Sequence, residues 1–420
     1  MNITTLGEAR FESPLDRLVN ESIRVPSWIV RDPAAPPEDD YLFELAGPRR
    51  KLFFEPKQTR AGIVTCGGLC PGLNNVIRSL FLELHHFYRV KEVLGFRHGY
   101  QGLDPAHGGG PLLLTCDLVE DIHREGGTIL GTSRGPVDFK VAVEHLIQRG
   151  VNLLFTIGGD GTQRGGHGLY QEARRRGHPL AVVGIPKTVD NDVPFVSRTF
   201  GYLTAVDEAA RVLQCAHTEC HSVANGISLV KLMGREAGFI AAGATIASQE
   251  VNFTLIPEVP FKLHGQHGFL AALQKRLLKR AHAVIVVAEG AGQEHLEASG
   301  QERDASGNLK LKDIGAFLRR TIEAHFKAEK IPVTMRYFDP SYLIRSVPAN
   351  AADAVLCDRF ARNAAHAAMA GKTGLVIGLL HDQFIHVPIE LLARQPKRLN
   401  PNGGTWHAVL AATGQPAQFG

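Results

Sequence analysis

From Arg60 onward, short apolar runs alternate with longer amphipathic stretches. The runs are apolar almost throughout, as expected for strands that are buried on both faces of a parallel sheet. The predicted strands are Ala61–Thr65, Val151–Ile157, Leu180–Ile185, Ile227–Leu232, Ala283–Ala288 and Gly374–Ile377. The intervening stretches predict helices, among them Asn74–Phe87, Gln163–Arg176 and Lys312–Lys327. The pattern predicts an α/β protein with doubly wound, mostly parallel sheets.

Residues 1–57 differ from the rest of the chain. They show no clear periodicity and contain the Pro-rich stretch at 32–37. We interpret them as an N-terminal extension that wraps the body of the protein or joins an oligomer contact.

Composition narrows the class of protein. The 420 residues are 44% hydrophobic and 21% charged, with a net charge of +4, which is typical of a globular protein. We expect no membrane span, because no apolar run reaches the ~18 residues that one needs. The N-terminus has no signal-peptide pattern, so a cytoplasmic location is expected. The basic clusters Arg174–Arg176 and Lys275–Arg280 are ascribed to solvated helix faces, and nucleic-acid binding is not expected.

The six cysteines form no Cys-x-x-Cys pair, so their spacing supports neither a zinc site nor a disulfide framework.

Glycine-rich segments follow the predicted strands. The first is Cys66-Gly67-Gly68-Leu69-Cys70-Pro71-Gly72-Leu73-Asn74. Its glycines would let the backbone approach an anion, and the following helix would offer its N-terminal amides. It lacks the lysine of the common phosphate loop, and a turn needed only for packing explains it equally well.

The second segment is Gly158-Gly159-Asp160-Gly161-Thr162, between a predicted strand and a predicted helix. The glycines would admit phosphates, and the carboxylate can hold Mg²⁺ directly or through water. A simple helix cap would not need three glycines around one aspartate. Gly-Gly-Asp-Gly-Thr is similar to a segment that recurs in several unrelated nucleotide-using kinases. This resemblance indicates phosphoryl transfer, although it does not identify the acceptor.

The third segment, Pro186–Asp192, follows another apolar strand and contains two carboxylates two residues apart. One can take a proton from an attacking hydroxyl while the other organises Mg²⁺. Lys187 and Thr188 could bind phosphoryl oxygens. Asp-Asn-Asp is also ordinary turn composition, so this segment gains weight from its position at the end of a strand.

The fourth segment, Lys231–Gly238, places Arg235 near a predicted helix start, where it suits a phosphate ester or developing negative charge. Glu258 follows a further short strand and could face sugar hydroxyls. Alone, Met233 would be a core residue and Glu258 a solvated loop charge.

In this order and spacing, the four segments resemble the 6-phosphofructokinase family. Gly95–Leu103, Gly131–Arg134 and Asp339–Arg345 support the resemblance, which covers about residues 58–385. It implies a donor-binding domain at 58–200, completed by about 348–385, and a sugar-phosphate domain at 201–347. The active site would lie in a cleft between the two domains, and 386–420 would form a C-terminal tail. The family also implies a glycolytic, allosteric homodimer or homotetramer.

The resemblance also implies residue roles. Asp190 would be the base acting on the 1-hydroxyl of fructose 6-phosphate, assisted by Thr188 and Arg235, and Asp160 and Asp192 would hold Mg²⁺. The donor-binding residues would be Gly67, Arg134, Gly159, Asp160, Gly161, Thr162 and Lys187. The sugar-phosphate ligands would be Thr188, Asp190, Arg198, Met233, Gly234, Arg235, Glu258, Tyr342 and Arg345, with Arg198 often lent across a subunit interface in this family.

The phosphoryl donor depends on Gly161 and Lys187. Relatives that use pyrophosphate typically carry Asp at the first position and Lys at the second. An aspartate at 161 would occupy and repel the α-phosphate of a nucleotide, whereas glycine leaves room for it. The pair present here resembles the plant and trypanosomatid ATP-using branch, and Leu69 points the same way. We therefore expect ATP, with pyrophosphate as the alternative.

Two other functions compete with this one. A kinase acting on NAD or a lipid alcohol would explain residues 158–162 but would leave Pro186–Asp192 and Met233–Arg235 unused. A non-catalytic regulatory subunit would be expected to have lost Asp160, Asp190 or Arg235, and all three are present.

Overall fold

The apolar runs form strands in the two larger of the three sheets seen among the described residues of a computed structural model; the third is the pair β1 and β4. The structure describes residues 1–30, 34, 40–107, 109–135, 137–296, 310–393 and 396–420. The strands are β1 (Phe11–Glu12), β2 (Arg24–Pro26), β3 (Leu42–Leu45), β4 (Lys51–Leu52), β5 (Arg60–Thr65), β6 (Glu92–Phe96), β7 (Leu112–Leu113), β8 (Leu153–Gly158), β9 (Ala181–Pro186), β10 (Gly226–Leu232), β11 (Phe253–Leu255), β12 (His282–Ala288), β13 (Thr334–Phe338), β14 (Leu375–Leu380) and β15 (Gln383–Pro388).

The described helices largely follow the amphipathic stretches. They are α1 (Leu73–Leu82), α2 (Cys116–Val119), α3 (Phe139–Gln148), α4 (Asp160–Arg175), α5 (Tyr202–His221), α6 (Phe239–Ser248), α7 (Phe269–Arg280), α8 (Ile314–Ala328), α9 (Ala351–Met369) and α10 (Gly404–Thr413). The helix predicted at 74–87 is shorter than expected, because α1 passes into a π-helical turn at Glu83–Tyr88. None of the helices described combines the length and hydropathy needed to cross a bilayer.

The chain divides into two compact units. The first contains residues 1–188, 193–201 and 346–395. Its large sheet has the order β2-β3-β15-β14-β9-β8-β5-β6-β7 among the described residues, and the strands from β14 to β6 run parallel. Helix α1 packs on α9 and α3 packs on α4. A core that includes Phe96, Leu146 and Leu169 fills the space between β-strands and α3 and α4.

The described residues of the segment 1–57 belong to the first unit. Strand β3 pairs antiparallel with β15, and β2 pairs with β3, so the two extend the large sheet. Glu44 of β3 is buried and accepts a hydrogen bond from Arg49 at 2.7 Å. These strands are only three and four residues long, which is too short for a periodic signal. Apart from Ala34, the Pro-rich stretch lies outside the described residues.

The second unit contains residues 189–192, 202–345 and 396–420. Its sheet has the order β11-β12-β10-β13, with every pair parallel. Helix α5 packs on α6, and α7 packs on α8. Phe419, predicted to lie in a tail, is buried between Phe253 and Phe269 in the core of this unit. The predicted α/β class with mostly parallel sheets is confirmed.

Candidate active site

Three segments of the first unit leave its sheet at the same edge. Strands β5, β8 and β9 are parallel neighbours, with Thr65 opposite Ile157 and Gly158 opposite Pro186. Their carboxyl ends therefore place the segments beginning at Cys66, Gly159 and Lys187 side by side. This edge is where doubly wound sheets bind ligands.

The loop after β5 is tied to the loop that carries Arg134. Gly67 has a φ of +84°, and its N–H donates to the Ser133 carbonyl at 3.0 Å. The Thr132 hydroxyl donates to the Gly67 carbonyl at 2.6 Å. These bonds hold the exposed Arg134 next to the glycine loop, so two predicted donor-binding positions are brought together.

Lys187 joins the same group. Its side chain is buried, and its ammonium donates to the Gly68 carbonyl. Its backbone N–H donates to the Gly158 carbonyl at 3.0 Å. A Cβ atom on Gly67 would lie 3.4 Å from Lys187 Nζ. A cation is thus held at the glycine loop, where a phosphoryl oxygen could reach it.

The glycines around Asp160 have different roles. A Cβ atom on Gly158 would lie 2.1 Å from Thr162 Oγ1, so this glycine is required by packing. A Cβ on Gly159 would make only an ordinary contact, 3.6 Å from the Lys187 carbonyl oxygen, and one on Gly161 would meet only Arg164 at 4.0 Å. Neither has a positive φ. The fold does not demand glycine at 159 or 161, and the space beside both would admit a ligand close to the backbone.

Asp160 and Thr162 lie in the first turn of α4 but differ in exposure. Asp160 is exposed and forms an ion pair with Arg164, one turn along the helix. Thr162 is buried against Gly158, and its carbonyl accepts a hydrogen bond from Tyr100 at 2.5 Å. A carboxylate at this edge offers the oxygen ligands that suit Mg²⁺, although a cation there must compete with Arg164.

The segment after β9 turns sharply. The Thr188 carbonyl accepts a hydrogen bond from Thr199 at 2.8 Å, and Asp190 is buried. Asn191 has a φ of +56°, in the left-handed region. The backbone of Asp192 accepts a hydrogen bond from Lys397 N–H at 2.7 Å.

In the second unit, the predicted sugar-phosphate segments also follow parallel strands. Met233–Arg235 follow β10, Glu258 follows β11, and Asp339–Arg345 follow β13. Because β11, β12, β10 and β13 are neighbours in that order, these segments leave the same edge of the smaller sheet. The arrangement matches the ligand edge of the first unit.

Two of these positions have clear structural constraints. Gly234 has a φ of +126°, and a Cβ atom there would lie 2.6 Å from the Ala237 carbonyl oxygen. This tight turn holds Met233 and Arg235, which are half-buried. Helix α6 begins at Phe239, so Arg235 lies in the turn before the helix and not at its start.

The carboxylate of Glu258 accepts hydrogen bonds from the protein backbone. Its carboxylate accepts hydrogen bonds from the Gly238 N–H at 3.0 Å and the Leu399 N–H at 2.8 Å. Burial raises the pKa of this carboxyl, while these hydrogen bonds oppose the change. Both bonds tie the residue to its own unit, so its carboxylate positions the loop after β11.

Of the remaining predicted ligands, Tyr342 and Arg198 are exposed, whereas Arg345 is half-buried. The Arg345 guanidinium lies over the Tyr342 ring, 4.8 Å from its centroid, and Tyr342 is 73% exposed. Arg198, in the first unit, is exposed as well. Such positions suit binding of an incoming anion from solvent.

Two residues with candidate roles escape the sequence patterns. Glu289 follows β12, and burial raises the pKa of its carboxyl, opposed by the charge of Arg235. Its position directly after the apolar run Ala283–Ala288 was the available signal.

Lys397 lies far along the chain in the predicted tail, and its ammonium donates to Asn191 Oδ1 at 3.2 Å. Burial lowers the pKa of Lys397 to about 8, opposed by the charge of Asp192. No local pattern marks it.

With this geometry in place, comparison with known proteins identifies the class. The profile of the Phosphofructokinase family matches residues 60–368. The chain belongs to this family.

Particular relatives refine the comparison. The chain is 45% identical to an ATP-dependent 6-phosphofructokinase of Borreliella burgdorferi over 99% of this chain and 96% of the relative. It is 48% identical to an ATP-dependent 6-phosphofructokinase of Trypanosoma cruzi, over 89% of this chain and 76% of the relative. A crystal structure of a pyrophosphate-dependent phosphofructokinase from Marinobacter aquaeolei has a TM-score of 0.69 at 21% identity, covering 84% of this chain and 91% of that one. This structural likeness concerns the fold.

Proposed function

We propose that this protein is an ATP-dependent 6-phosphofructokinase, which transfers the γ-phosphoryl group of MgATP to the 1-hydroxyl of fructose 6-phosphate. The observation that carries the donor assignment is the open space at Gly161. Because neither packing nor backbone conformation requires glycine there, its missing side chain is explained by a nucleotide phosphate. The names of the relatives from Borreliella burgdorferi and Trypanosoma cruzi support the same donor.

On the donor side, the proposal uses the loops at the edge of the large sheet. The phosphates would approach the backbone closely at Gly67, Gly159 and Gly161. Thr162 would support this loop by packing against Gly158. Lys187 and Arg134 would bind oxygens of the transferring phosphoryl group and offset its charge. Asp160 and Asp192 would hold Mg²⁺, which would neutralise negative charge on the donor phosphates.

On the acceptor side, Asp190 would take the proton of the 1-hydroxyl as that oxygen attacks the phosphorus. Its burial limits competition from water for this carboxylate. Arg235 and Thr188 would stabilise charge in the transition state. Met233, Gly234, Glu258, Tyr342, Arg345 and Arg198 complete the proposed sugar-phosphate set, with Glu258 acting through the loop that it holds. Glu289 is added to this set because it lies beside Arg235 at the same sheet edge.

The cellular setting follows from the same proposal. The enzyme would act in glycolysis in the cytoplasm, as an allosterically controlled homodimer or homotetramer in which Arg198 reaches a neighbouring subunit.

A donor comparison tests the proposal. Purified protein is supplied with fructose 6-phosphate, Mg²⁺ and either ATP or pyrophosphate, and fructose 1,6-bisphosphate is measured with an aldolase-coupled assay. We expect turnover with ATP and at most a trace with pyrophosphate. Turnover with pyrophosphate alone would make the alternative donor correct. Ligand binding without turnover by either donor would favour a regulatory subunit.

A further inference from the structure

We propose that His85, His86 and Cys116 form a zinc-binding site on the surface of the first unit. Their ligand atoms all lie within 4.8 Å of one another, and all three residues are exposed. The group is independent of the proposed catalytic residues, and none of its members entered the sequence motifs.

The local backbone explains why two adjacent histidines converge. Successive side chains of an α-helix diverge by about 100° around the axis, which separates neighbours. His85 and His86 lie instead in the π-helical turn Glu83–Tyr88, where the wider turn reduces that divergence. His85 also stacks on Phe81, with ring centroids 5.1 Å apart and planes at 12°, which orients its imidazole. Single π-helical turns inside helices are frequent at functional sites.

The third ligand comes from a different element. Cys116 begins α2, separated by two residues from the end of β7, which pairs antiparallel with β6. Thr115 caps this short helix, with its hydroxyl accepting from the Leu118 N–H at 3.2 Å. The pairing of β7 with β6 at the edge of the sheet thus brings the Cys116 thiol close to His86, although the two residues are 30 positions apart in the sequence.

The distances suit zinc after small side-chain rotations. His86 Nε2 and Cys116 Sγ are 3.9 Å apart. In a tetrahedral zinc site with Zn–S near 2.3 Å and Zn–N near 2.0–2.1 Å, those atoms would be about 3.6 Å apart. The other ligand pairs lie within 4.8 Å and would close by at most about 1.4 Å, to the ~3.4 Å between two nitrogens of a tetrahedral site. Rotation of the exposed His86 and Cys116 side chains toward His85 would supply this change, because neither is buried.

The donor set selects the metal. Two imidazoles and one thiolate favour zinc over magnesium, which prefers oxygen ligands. Three protein ligands leave a fourth position for water, as in open zinc sites. Bound zinc would tie the π-helical turn to α2, and it would raise the thermal stability of the first unit because the unfolded chain does not preform the site.

Metal titration of the full-length protein tests the site. Zinc binding is measured in saturating Mg²⁺ by competition with a chromogenic chelator, and Co²⁺ serves as a spectroscopic substitute. We expect one zinc per chain and a thiolate-to-cobalt charge-transfer band in the near ultraviolet. Cys116→Ser should remove the band and weaken zinc binding at least ~10-fold, and His86→Gln should weaken it similarly. Phosphoryl transfer should be unchanged in both variants.

Cys215→Ser is the matched control, since Cys215 is also an exposed free thiol. It should bind zinc like the original protein and keep the cobalt band. Equal zinc affinity in Cys116→Ser and the original protein would overturn the proposal. So would a stoichiometry of one zinc per two chains, which would indicate a bridge between copies.

Discussion

Gly161 lies in the first turn of α4, and a Cβ atom at this position would find only Arg164 at 4.0 Å. Gly158, three residues earlier, would collide with a buried threonine. Glycine is therefore present at these two positions of one motif for different physical reasons. Packing requires it at Gly158, so only Gly161 can bear on the choice of phosphoryl donor.

Gly161→Asp should convert the proposed nucleotide site into one that repels ATP. The new carboxylate would face the α-phosphate, and like charges in contact cost several kcal/mol, so kcat/KM for ATP should fall at least ~10-fold. Stability should be kept, because an acidic residue in the first turn of a helix is favourable. Steady-state kinetics with ATP and pyrophosphate measure the effect.

Gly404→Asp is the control for that substitution. Gly404 begins α10, and a Cβ atom there also has nothing within 4 Å. Unchanged ATP kinetics in Gly404→Asp are expected. If Gly161→Asp also left ATP kinetics unchanged, the explanation of Gly161 as a nucleotide-admitting residue would be wrong.

Asp190→Asn should test the proposed base with almost no change in side-chain shape. The amide cannot accept the hydroxyl proton, so kcat should fall by about 10²–10⁴-fold while the KM for fructose 6-phosphate changes little. Asp207→Asn, on α5 beside Arg211, serves as a control and should keep normal kcat. A near-normal kcat in Asp190→Asn would exclude the base role.

At the scale of elements, the junction between β8 and α4 shows how packing and binding share one motif. Gly158 ends the strand, Gly159 caps the helix, and the Gly159 carbonyl accepts from the Thr162 N–H at 3.0 Å. The close fit of Thr162 against Gly158 sets the start of the helix. That start in turn sets where Asp160 and Gly161 are presented.

Gly158→Ala should destabilise this junction. Its Cβ would lie 2.1–2.6 Å from three atoms of the buried Thr162 side chain, and overpacking of this kind costs about 1–3 kcal/mol. Urea unfolding measures the loss. Gly161→Ala should be neutral or stabilising, because alanine is favoured over glycine within a helix. Thr162→Ala should restore only part of the loss in the double variant, because the Cβ at position 162 would still lie 2.5 Å from the added methyl carbon. Equal stability of the two glycine variants would contradict this explanation of the junction.

At the scale of the whole molecule, buried polar groups join distant parts of the first unit. Lys372 pairs with Glu44 at 2.6 Å, and His386 lies 3.4 Å from the same carboxylate. His366 contacts the Tyr88 hydroxyl at 2.9 Å. Burial, together with the charges of Arg362 and Arg49, lowers the pKa of His366 to about 3. Burial lowers the pKa of His386 to about 4, opposed by the carboxylate of Glu44. Both histidines are therefore neutral in the folded protein near neutral pH.

Stability should fall as the pH is lowered from about 6.5 toward 4. The unfolded chain binds protons at its histidines near pH 6.5, whereas the folded protein resists protonation of these two, so acid favours unfolding. We expect a loss on the order of 1 kcal/mol or more per histidine, measured as a lower urea midpoint. His366→Gln should flatten the pH dependence. The exposed-site control His267→Gln should not, and a flat profile in the original protein would contradict the account.

Local patterns predicted much of the parallel framework and the motifs at the strand ends. Runs such as Val151–Ile157 and Ala283–Ala288 are long enough for their apolar pattern to predict a strand. The motif Gly158–Thr162 can be recognised because its residues are contiguous in the sequence. The sequence could not show that packing requires glycine at 158 but not at 159 or 161, because this depends on which atoms lie next to each Cα in the folded protein. Glu289 had a weak signal after a strand, whereas Lys397 had none.

By itself, the sequence determined the α/β class, the order of the strands along the chain and the segments that follow them, because these depend on neighbours within a few residues. Only the tertiary structure decided that residues 24–26 and 42–45 extend the large sheet, and that Phe419 and Lys397 belong to the second unit. It alone brought Cys116 to His85 and His86. The physical reason is that such contacts join residues far apart in the chain, and packing, not local periodicity, selects them.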